Sequence, residues 1–187
     1  MSSVRLVILA ACSACGFEVA VGPPDGPPLD VMEMLGACDA VAVDSSAEHT
    51  CARAGDGSVF CWGRSEHGQL GVLPLESRCV ATTATQYCSP SPRRASVASA
   101  IGLAAGQHHS CATTVTNTYC WGLNLYGQYG NGATIDLSPS GIVAERVGST
   151  NVDAGVFHTC SLAAGRVKCS GKNDMGEVGD TSWSQQS

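Results

Sequence analysis

The fold is decided by one motif that occurs three times in the same order. The first copy reads His49-Thr50-Cys51, Cys61-Trp62-Gly63 and Gly68-Gln69-Leu70-Gly71. The second reads His109-Ser110-Cys111, Cys120-Trp121-Gly122 and Gly127-Gln128-Tyr129-Gly130. The third reads His158-Thr159-Cys160, Cys169-Ser170-Gly171 and Gly176-Glu177-Val178-Gly179. Three ordered copies predict a repeat protein in which each unit packs on its neighbour.

The two cysteines of each copy lie nine or ten residues apart, which suits facing positions of a β-hairpin. If Cys160 faces Cys169, a two-residue turn falls at Ala164-Gly165, and if Cys51 faces Cys61, the loop is Gly55-Asp56-Gly57. Glycine supplies the positive φ that tight hairpin turns need. Facing residues lie about 4.5 to 5.5 Å apart at Cα, within the range of a disulfide. We therefore expect the disulfides Cys51–Cys61, Cys111–Cys120 and Cys160–Cys169, with a wider loop around Val115-Thr116 in the second copy.

The remaining five of the eleven cysteines lie outside the motif. Cys79 and Cys88 fall in an insertion that lengthens the first repeat, and we expect them to pair across that insertion. Cys15 and Cys38 are then left as a pair, and Cys12 as a single residue. Connectivity does not follow from sequence alone, so these assignments are open at this stage.

Composition favours an exported all-β protein. Aromatic residues make up 5% and charged residues 14% of the 187 residues, while there are 22 glycines, a balance typical of short strands and tight turns. Eleven cysteines favour an oxidising compartment, where disulfides persist. The net charge of -6 argues against nucleic acid as a partner, because phosphate contacts need a basic surface.

The N-terminal segment indicates export. Leu9-Ala10-Ala11-Cys12, after an apolar run that begins at Leu6, resembles the lipobox of bacterial lipoproteins, in which the cysteine is lipidated. The alternative is a short buried strand with a chance cysteine. No other stretch has the roughly 20 apolar residues of a membrane span, so any membrane contact is expected through lipidated Cys12. We divide the chain into a signal region (1–15), a Gly/Pro-rich linker with a lead-in strand (16–40) and three repeats (about 41–97, 98–147 and 148–187).

The motif Cys-Trp-Gly-x4-Gly-Gln-x-Gly with an upstream His-Ser/Thr-Cys resembles the repeat of the regulator of chromosome condensation family, in its cysteine-rich exported bacterial form. The third copy departs from it at Ser170, Glu177 and Val178. The resemblance implies one four-stranded antiparallel blade per repeat and a β-propeller architecture, here partial or open, with about three disulfide-stapled blades. Propellers have at least about four blades. The chain is therefore interpreted as part of a longer propeller, an open arc, or a unit that assembles into a ring, with self-association through open sheet edges.

Residues that recur once per repeat are interpreted as structural. A residue repeated around an axis does not gather at one point, so we expect the histidines to make a hydrogen bond inside each blade rather than to form a metal or acid/base site. Zinc is disfavoured because ligand pairs usually lie two to four residues apart. The tryptophans are interpreted as core residues rather than ligand-stacking ones. These structural positions are His49, His109, His158, Trp62, Trp121, Gly63, Gly122, Gly171, Gly68, Gly71, Gly127, Gly130, Gly176 and Gly179.

The sequence offers no nucleophile elbow, metalloprotease motif, phosphate loop or dinucleotide fingerprint. We expect no catalytic residue, cofactor or metal ion, and interpret the chain as a non-enzymatic binding or scaffold module of the bacterial cell envelope or surface. Its protein or glycan partner is expected to meet the variable stretches Arg78–Arg94 and Asn131–Arg146, since loops on a rigid repeat commonly carry recognition. The alternatives are an exported hydrolase or lyase with a site in the central channel, and a propeller fragment without independent function.

Overall fold

Three antiparallel sheets follow one another along the chain. The computed structural model describes residues 40–72, 78–81, 84–135, 143–144 and 149–180. All the regular secondary structure within these ranges is β-strand. The all-β, propeller-type prediction is confirmed, since each sheet contains one copy of the motif and packs on the next. In these ranges no helix has the length and apolar character to cross a membrane.

The first blade has five strands in the order β1-β2-β3-β5-β4. They are β1 (Ala40–Ser45), β2 (His49–Ala54), β3 (Val59–Arg64), β4 (Arg78–Ala81) and β5 (Ala84–Arg94). The insertion therefore forms a hairpin, β4–β5, that extends the blade.

The second blade has the four strands expected of the family, in the order β6-β7-β8-β9. They are β6 (Gly102–Ala105), β7 (His109–Thr113), β8 (Thr118–Gly122) and β9 (Val143–Ala144). The third blade has three strands among the described residues, β10 (Ser149–Ala154), β11 (His158–Ala163) and β12 (Arg166–Gly171).

The facing register of the paired cysteines is confirmed in every blade. Cys51 lies opposite Cys61, Cys111 opposite Cys120 and Cys160 opposite Cys169, and each pair is bonded. The Cα atoms of each pair are 4.1 Å apart, close to the narrow type of antiparallel pair. Each disulfide therefore joins the two strands of the motif hairpin.

The length and conformation of each hairpin turn depend on the residues between its two strands. Ala164 and Gly165 both have positive φ, 49° and 74°, and form the two-residue turn of the third blade. In the second blade four residues, 114–117, join the strands. There the Thr114 hydroxyl oxygen accepts the Asn117 amide at 3.1 Å, which takes the place of a glycine turn.

Arg78–Arg94 was expected to be a variable loop, but the structure shows the strands β4 and β5 there, and the expected contact of this segment with a partner stays a prediction. The C-terminal part of β5, from Cys88 to Arg94, pairs with β3. Pro90 and Pro92 indicate a loop, but β4 pairs β5 only as far as Tyr87. Beyond Tyr87, β5 has β3 as its one described neighbour and tolerates proline as an edge strand does. Cys88 is buried and disulfide-bonded.

Several sequence predictions fall outside the described residues. Cys12, Cys15, Cys38 and the side chain of Cys79 lie there, so lipidation and the pairs Cys15–Cys38 and Cys79–Cys88 stay predictions.

The hydrogen bond expected inside the blade is present for His49, whose Nδ1 lies 3.0 Å from the Ser46 hydroxyl, but the repeat histidines also connect neighbouring blades, which was not predicted. His49 Nε2 lies 2.7 Å from the Ser110 hydroxyl of the second blade, and His109 Nε2 lies 2.8 Å from the Thr159 hydroxyl of the third. The contacts between blades have a simple cause. Histidine and the following hydroxyl residue alternate along one strand, so their side chains leave opposite faces of the sheet and each meets a different neighbour.

The tryptophan position makes a second contact between blades. Trp121 is 1% exposed, and its Nε1 donates to the Gln69 carbonyl oxygen at 2.8 Å. Ser170, which replaces tryptophan in the third copy, donates in the same way to the Gln128 carbonyl oxygen at 3.2 Å. The substitution therefore keeps the polar contact and gives up apolar area. Trp62, in the first blade, is half-buried.

Candidate functional site: a rim strip across three blades

One rim of the molecule is built by a backbone contact that recurs in every blade. Gly63, Gly122 and Gly171 have φ of 104°, 100° and 121°, and a Cβ at each would come within 2.5 Å of the carbonyl oxygen of the residue before the repeat histidine. The residue after each glycine donates its amide to that same carbonyl at 2.8 Å. The backbone thus fixes two variable positions side by side at the same place in each blade.

The residue before the repeat histidine differs in every copy. It is Glu48 in the first blade, His108 in the second and Phe157 in the third. The residue after the Trp-Gly pair also varies, as Arg64, Leu123 and Lys172. The repeat therefore keeps the backbone of the rim constant and changes the side chains that the rim presents.

Ring contacts cross from blade to blade along this rim. The His67 ring centroid lies 5.1 Å from that of His108, and the His108 centroid lies 6.2 Å from that of Phe157. Tyr126 and Phe157 are 5.1 Å apart, and Lys172 Nζ lies 6.0 Å from the Tyr126 ring centroid. These distances are typical of aromatic and cation–π pairs.

Charged side chains occupy the first-blade end of the same rim. Arg64 donates to the carboxylates of Glu48 and Glu66, and its bond to Glu66 contributes most to raising the pKa of the guanidinium. His108 Nδ1 lies 3.5 Å from Glu48 Oε2. Burial, followed by the neighbouring His67, lowers the pKa of His108, so the ring is neutral near pH 7.

We call this surface the rim strip and define it by eight side chains: Glu48, Arg64, Glu66, His67, His108, Tyr126, Phe157 and Lys172. Leu125 and Val156, adjacent in sequence to Tyr126 and Phe157, are 56% and 54% exposed. The rim strip thus combines rings held against one another, charges of both signs and exposed apolar neighbours. This is the chemistry of a recognition surface, in which rigid aromatic side chains contribute most of the binding energy.

Separate from the rim strip, a concave surface lies where the three blades converge. It has a volume of about 400 Å³ and is lined by the small-residue step of each blade. The lining residues are Ser45, Ser46, Ala47, Ala105, Gly106, Gln107, Ala154, Gly155 and Val156. Of these nine described residues none is an acid, a base or a cysteine, so the cavity lacks the side chains that general acid/base catalysis needs.

The buried repeat histidines are held neutral. Burial, and then the neighbouring His108, lowers the pKa of His49 to about 4, and burial, and then His49, lowers that of His109 to about 3. The Ser110 hydroxyl donates to the Gln69 carbonyl oxygen at 2.9 Å, so it accepts the proton carried by His49 Nε2. Among the described residues no three His, Cys, Asp or Glu side chains are grouped so as to hold a metal ion.

The rim strip was not predicted from the sequence. Recognition was expected in the insertions between the copies, because the shared positions were interpreted as structural. The available signal was variation directly beside a constant residue: Glu48, His108 and Phe157 differ between the copies, although each precedes the repeat histidine.

The comparisons with known proteins agree with the fold. Two family models, both described as the Regulator of chromosome condensation (RCC1) repeat, match residues 40–69 and 56–113. The human E3 ubiquitin-protein ligase HERC2 is 30% identical over 102 residues, which are 51% of this chain and 2% of the ligase.

Two solved structures share the architecture. Prp20p from Saccharomyces cerevisiae, whose binding to Gsp1p and histones has been described, aligns with a TM-score of 0.59 and 25% identity over 76% of this chain and 33% of Prp20p. Human WBSCR16 aligns with a TM-score of 0.64 and 22% identity over 81% of this chain and 39% of that protein. The chain therefore spans well under half the length of each of these relatives.

Proposed function

We propose that the chain, whose residues 40–113 match models of the regulator of chromosome condensation repeat, is an exported, disulfide-stapled binding module that recognises a protein through its rim strip. The observation that carries this proposal is the row of ring contacts from His67 to Phe157, which crosses all three blades at positions where the repeat varies. A surface whose backbone is constant and whose side chains change is suited to specific recognition.

The rigidity of the rim strip favours binding. His108 is in contact with a ring of the first blade and a ring of the third, so its rotamer is restricted before any partner arrives. Side chains that are already ordered lose little conformational entropy on association. A protein is the partner class that fits a strip of this length, and Prp20p, which shares the fold, binds proteins.

The binding activity is proposed to be non-enzymatic. The cavity where the blades converge is lined by serine, alanine, glycine, glutamine and valine. On the rim strip Arg64 forms ion pairs with the carboxylates of both Glu48 and Glu66. Ion pairing of this kind suits recognition better than proton transfer.

Export and anchoring belong to the same proposal. Three disulfides within 120 residues support an oxidising compartment, and Cys12 in its lipobox-like context supplies the proposed anchor to the cell envelope. Replacing Cys12 with Ser should move the protein from the membrane fraction to the soluble fraction and abolish incorporation of a labelled fatty acid. Unchanged partition would contradict the anchor without affecting the binding proposal.

Site-specific photo-cross-linking in the producing cells tests the rim strip directly. A benzophenone side chain at Tyr126 should give a discrete cross-linked protein, and the added change Phe157→Ala should remove it. The matched control carries the same group at Val115, which is 76% exposed at the tip of the β7–β8 hairpin. Identical cross-linked products from both positions, or products from Val115 alone, would refute recognition by the rim strip.

A further inference from the structure

The third blade has an outer face that resembles the buried faces of the first two blades. Val59, Thr118 and Val167 occupy the same place on the strand after the motif turn, since they lie opposite Arg53, Thr113 and Leu162. Val59 is 0% and Thr118 1% exposed, whereas Val167 is 67% exposed. His158 is half-exposed where His49 and His109 are buried. This side of the third blade is therefore an interface without its neighbour among the described residues.

In the first blade, the face of the sheet that points away from His49 is partly exposed. Thr50 is half-exposed, whereas its equivalents Ser110 and Thr159 are buried. Val43 lies next to the residue facing the first cysteine of the motif, as Val152 does in the third blade. Val43 is 67% exposed and Val152 is 4% exposed. The face of the first blade that carries Val43, Thr50 and Trp62 is thus open at these positions, although Ala52 and Phe60 on the same face are buried.

The two outer faces carry complementary groups. At both interfaces between described blades the repeat histidine meets a hydroxyl of the next blade, at 2.7 and 2.8 Å. By the same rule His158 is matched to Thr50. At both interfaces a side chain after the second cysteine donates to the carbonyl of the turn residue in the preceding blade, as Trp121 does to Gln69 and Ser170 to Gln128. By that rule Trp62 is matched to the Glu177 carbonyl.

A third contact follows the same pattern. Asp44 Oδ2 of the first blade accepts the backbone amide of Ala105 in the second blade at 2.8 Å. The equivalent carboxylate in the third blade belongs to Asp153, which lies opposite Cys160 as Asp44 lies opposite Cys51. Asp153 is exposed and is matched to the amide of Ser45, the residue equivalent to Ala105, in place of the bond that this amide donates to Asp44 Oδ1 in its own chain.

We propose that a second copy of this chain docks its first blade on the outer face of the third blade, by the contacts that join the blades within one chain. The interface is head-to-tail, with Val43, Thr50 and Trp62 of one copy on His158, Val167 and Glu177 of the other. Such an interface closes into a ring when the rotation permits it. Two copies make six blades, within the usual four to eight of propellers.

Two single substitutions separate this interface from other modes of association. Val43→Arg blocks the first-blade face and Val167→Arg blocks the third-blade face, and both side chains are exposed, so neither change removes a core residue. Val115→Arg is the matched control, at an exposed hairpin tip on neither face. All variants are made in the full chain with Cys12→Ser, so that a lipid cannot contribute to association.

Light scattering after size exclusion gives the mass of each variant. The parent chain and Val115→Arg should have twice the chain mass of 19.1 kDa, and each face variant should have the mass of one chain. Mixing the two face variants should restore a one-to-one complex, because each supplies the face that the other lacks. A monomeric parent chain, a face variant that stays dimeric as expected for pairing of sheet edges, or a mixture that fails to associate would each overturn the proposal.

Discussion

Acid should destabilise the protein before its carboxylates titrate, because two buried histidines must stay neutral in the folded state. The folded-state pKa values of His49 and His109 are about 4 and about 3, whereas a histidine in the unfolded chain titrates near 6.5. The unfolded state therefore binds more protons below pH 6.5. The contribution to stability is complete above pH 6.5 and is lost as pH falls towards the folded-state values.

The magnitude follows from the size of that window. Each pH unit below 6.5 costs about 1.4 kcal/mol per ring. Going from pH 7 to pH 5 should lower the free energy of unfolding by about 2 kcal/mol for each histidine and by about 4 kcal/mol for the two together. Guanidinium chloride unfolding at pH 7, 6 and 5, with the disulfides intact, measures this change.

The matched variant is His49→Gln with His109→Gln, which keeps an amide able to bond the facing hydroxyl and removes the titration. The other three histidines are present in both proteins, so their contribution cancels. The double variant should lose most of the fall in stability between pH 7 and pH 5. An equal fall in the parent and the double variant would refute the assignment of acid sensitivity to the blade interfaces.

Four further changes test separate contacts. Thr159→Val leaves the Nε2 of buried His109 without its partner and should cost about 1 to 3 kcal/mol by chemical denaturation; the control Thr150→Val, at an exposed site, should change stability by less than about 0.5 kcal/mol. Gly106→Ala places a Cβ 2.2 Å from the His109 ring and should lower the melting temperature strongly, while Gln107→Ala beside it should not. Replacing Cys51 and Cys61 together with Ala opens a ten-residue loop and should cost roughly 2 to 3 kcal/mol, and a fully retained stability would contradict a staple at this position. A double-mutant cycle of Tyr126→Ala and Phe157→Ala should give a coupling energy of about 0.5 to 1.5 kcal/mol, and additive effects would show that the rim strip is not preorganised there.

The sequence was sufficient for the cysteine-bearing hairpin of each blade, but not for the outer strands β4 and β5. Cysteine spacing, together with Gly57 and Ala164-Gly165 at the turns, determines a local register, and local register depends on few residues. The structure confirms the facing cysteines for that reason. The family resemblance likewise rested on glycines whose φ is positive, such as Gly63 and Gly122, where few other residues fit.

The relation between blades was harder to predict because it depends on which face of a strand each side chain leaves. His49 and Thr50 are adjacent in sequence, yet one meets the second blade and the other lies on the opposite face. An interpretation that assigns each repeated residue to its own blade misses this alternation. The same cause hid the rim strip, since Tyr126 of the second blade meets Phe157 of the third only after the blades pack.

The residues of the repeat motif therefore determine the interface between blades more than the fold of a single blade. His49 needs a hydroxyl in the next unit, and Ser110 is that hydroxyl while His109 beside it begins the following contact. Trp121 and Ser170 differ in size but donate to the same turn carbonyl, so the third copy keeps the function of the position without its consensus residue. A copy that departs from the consensus at Ser170 can thus still pack on the preceding blade, with less apolar area, and among the described residues its outer face has no neighbour to supply the next hydroxyl and the next donor.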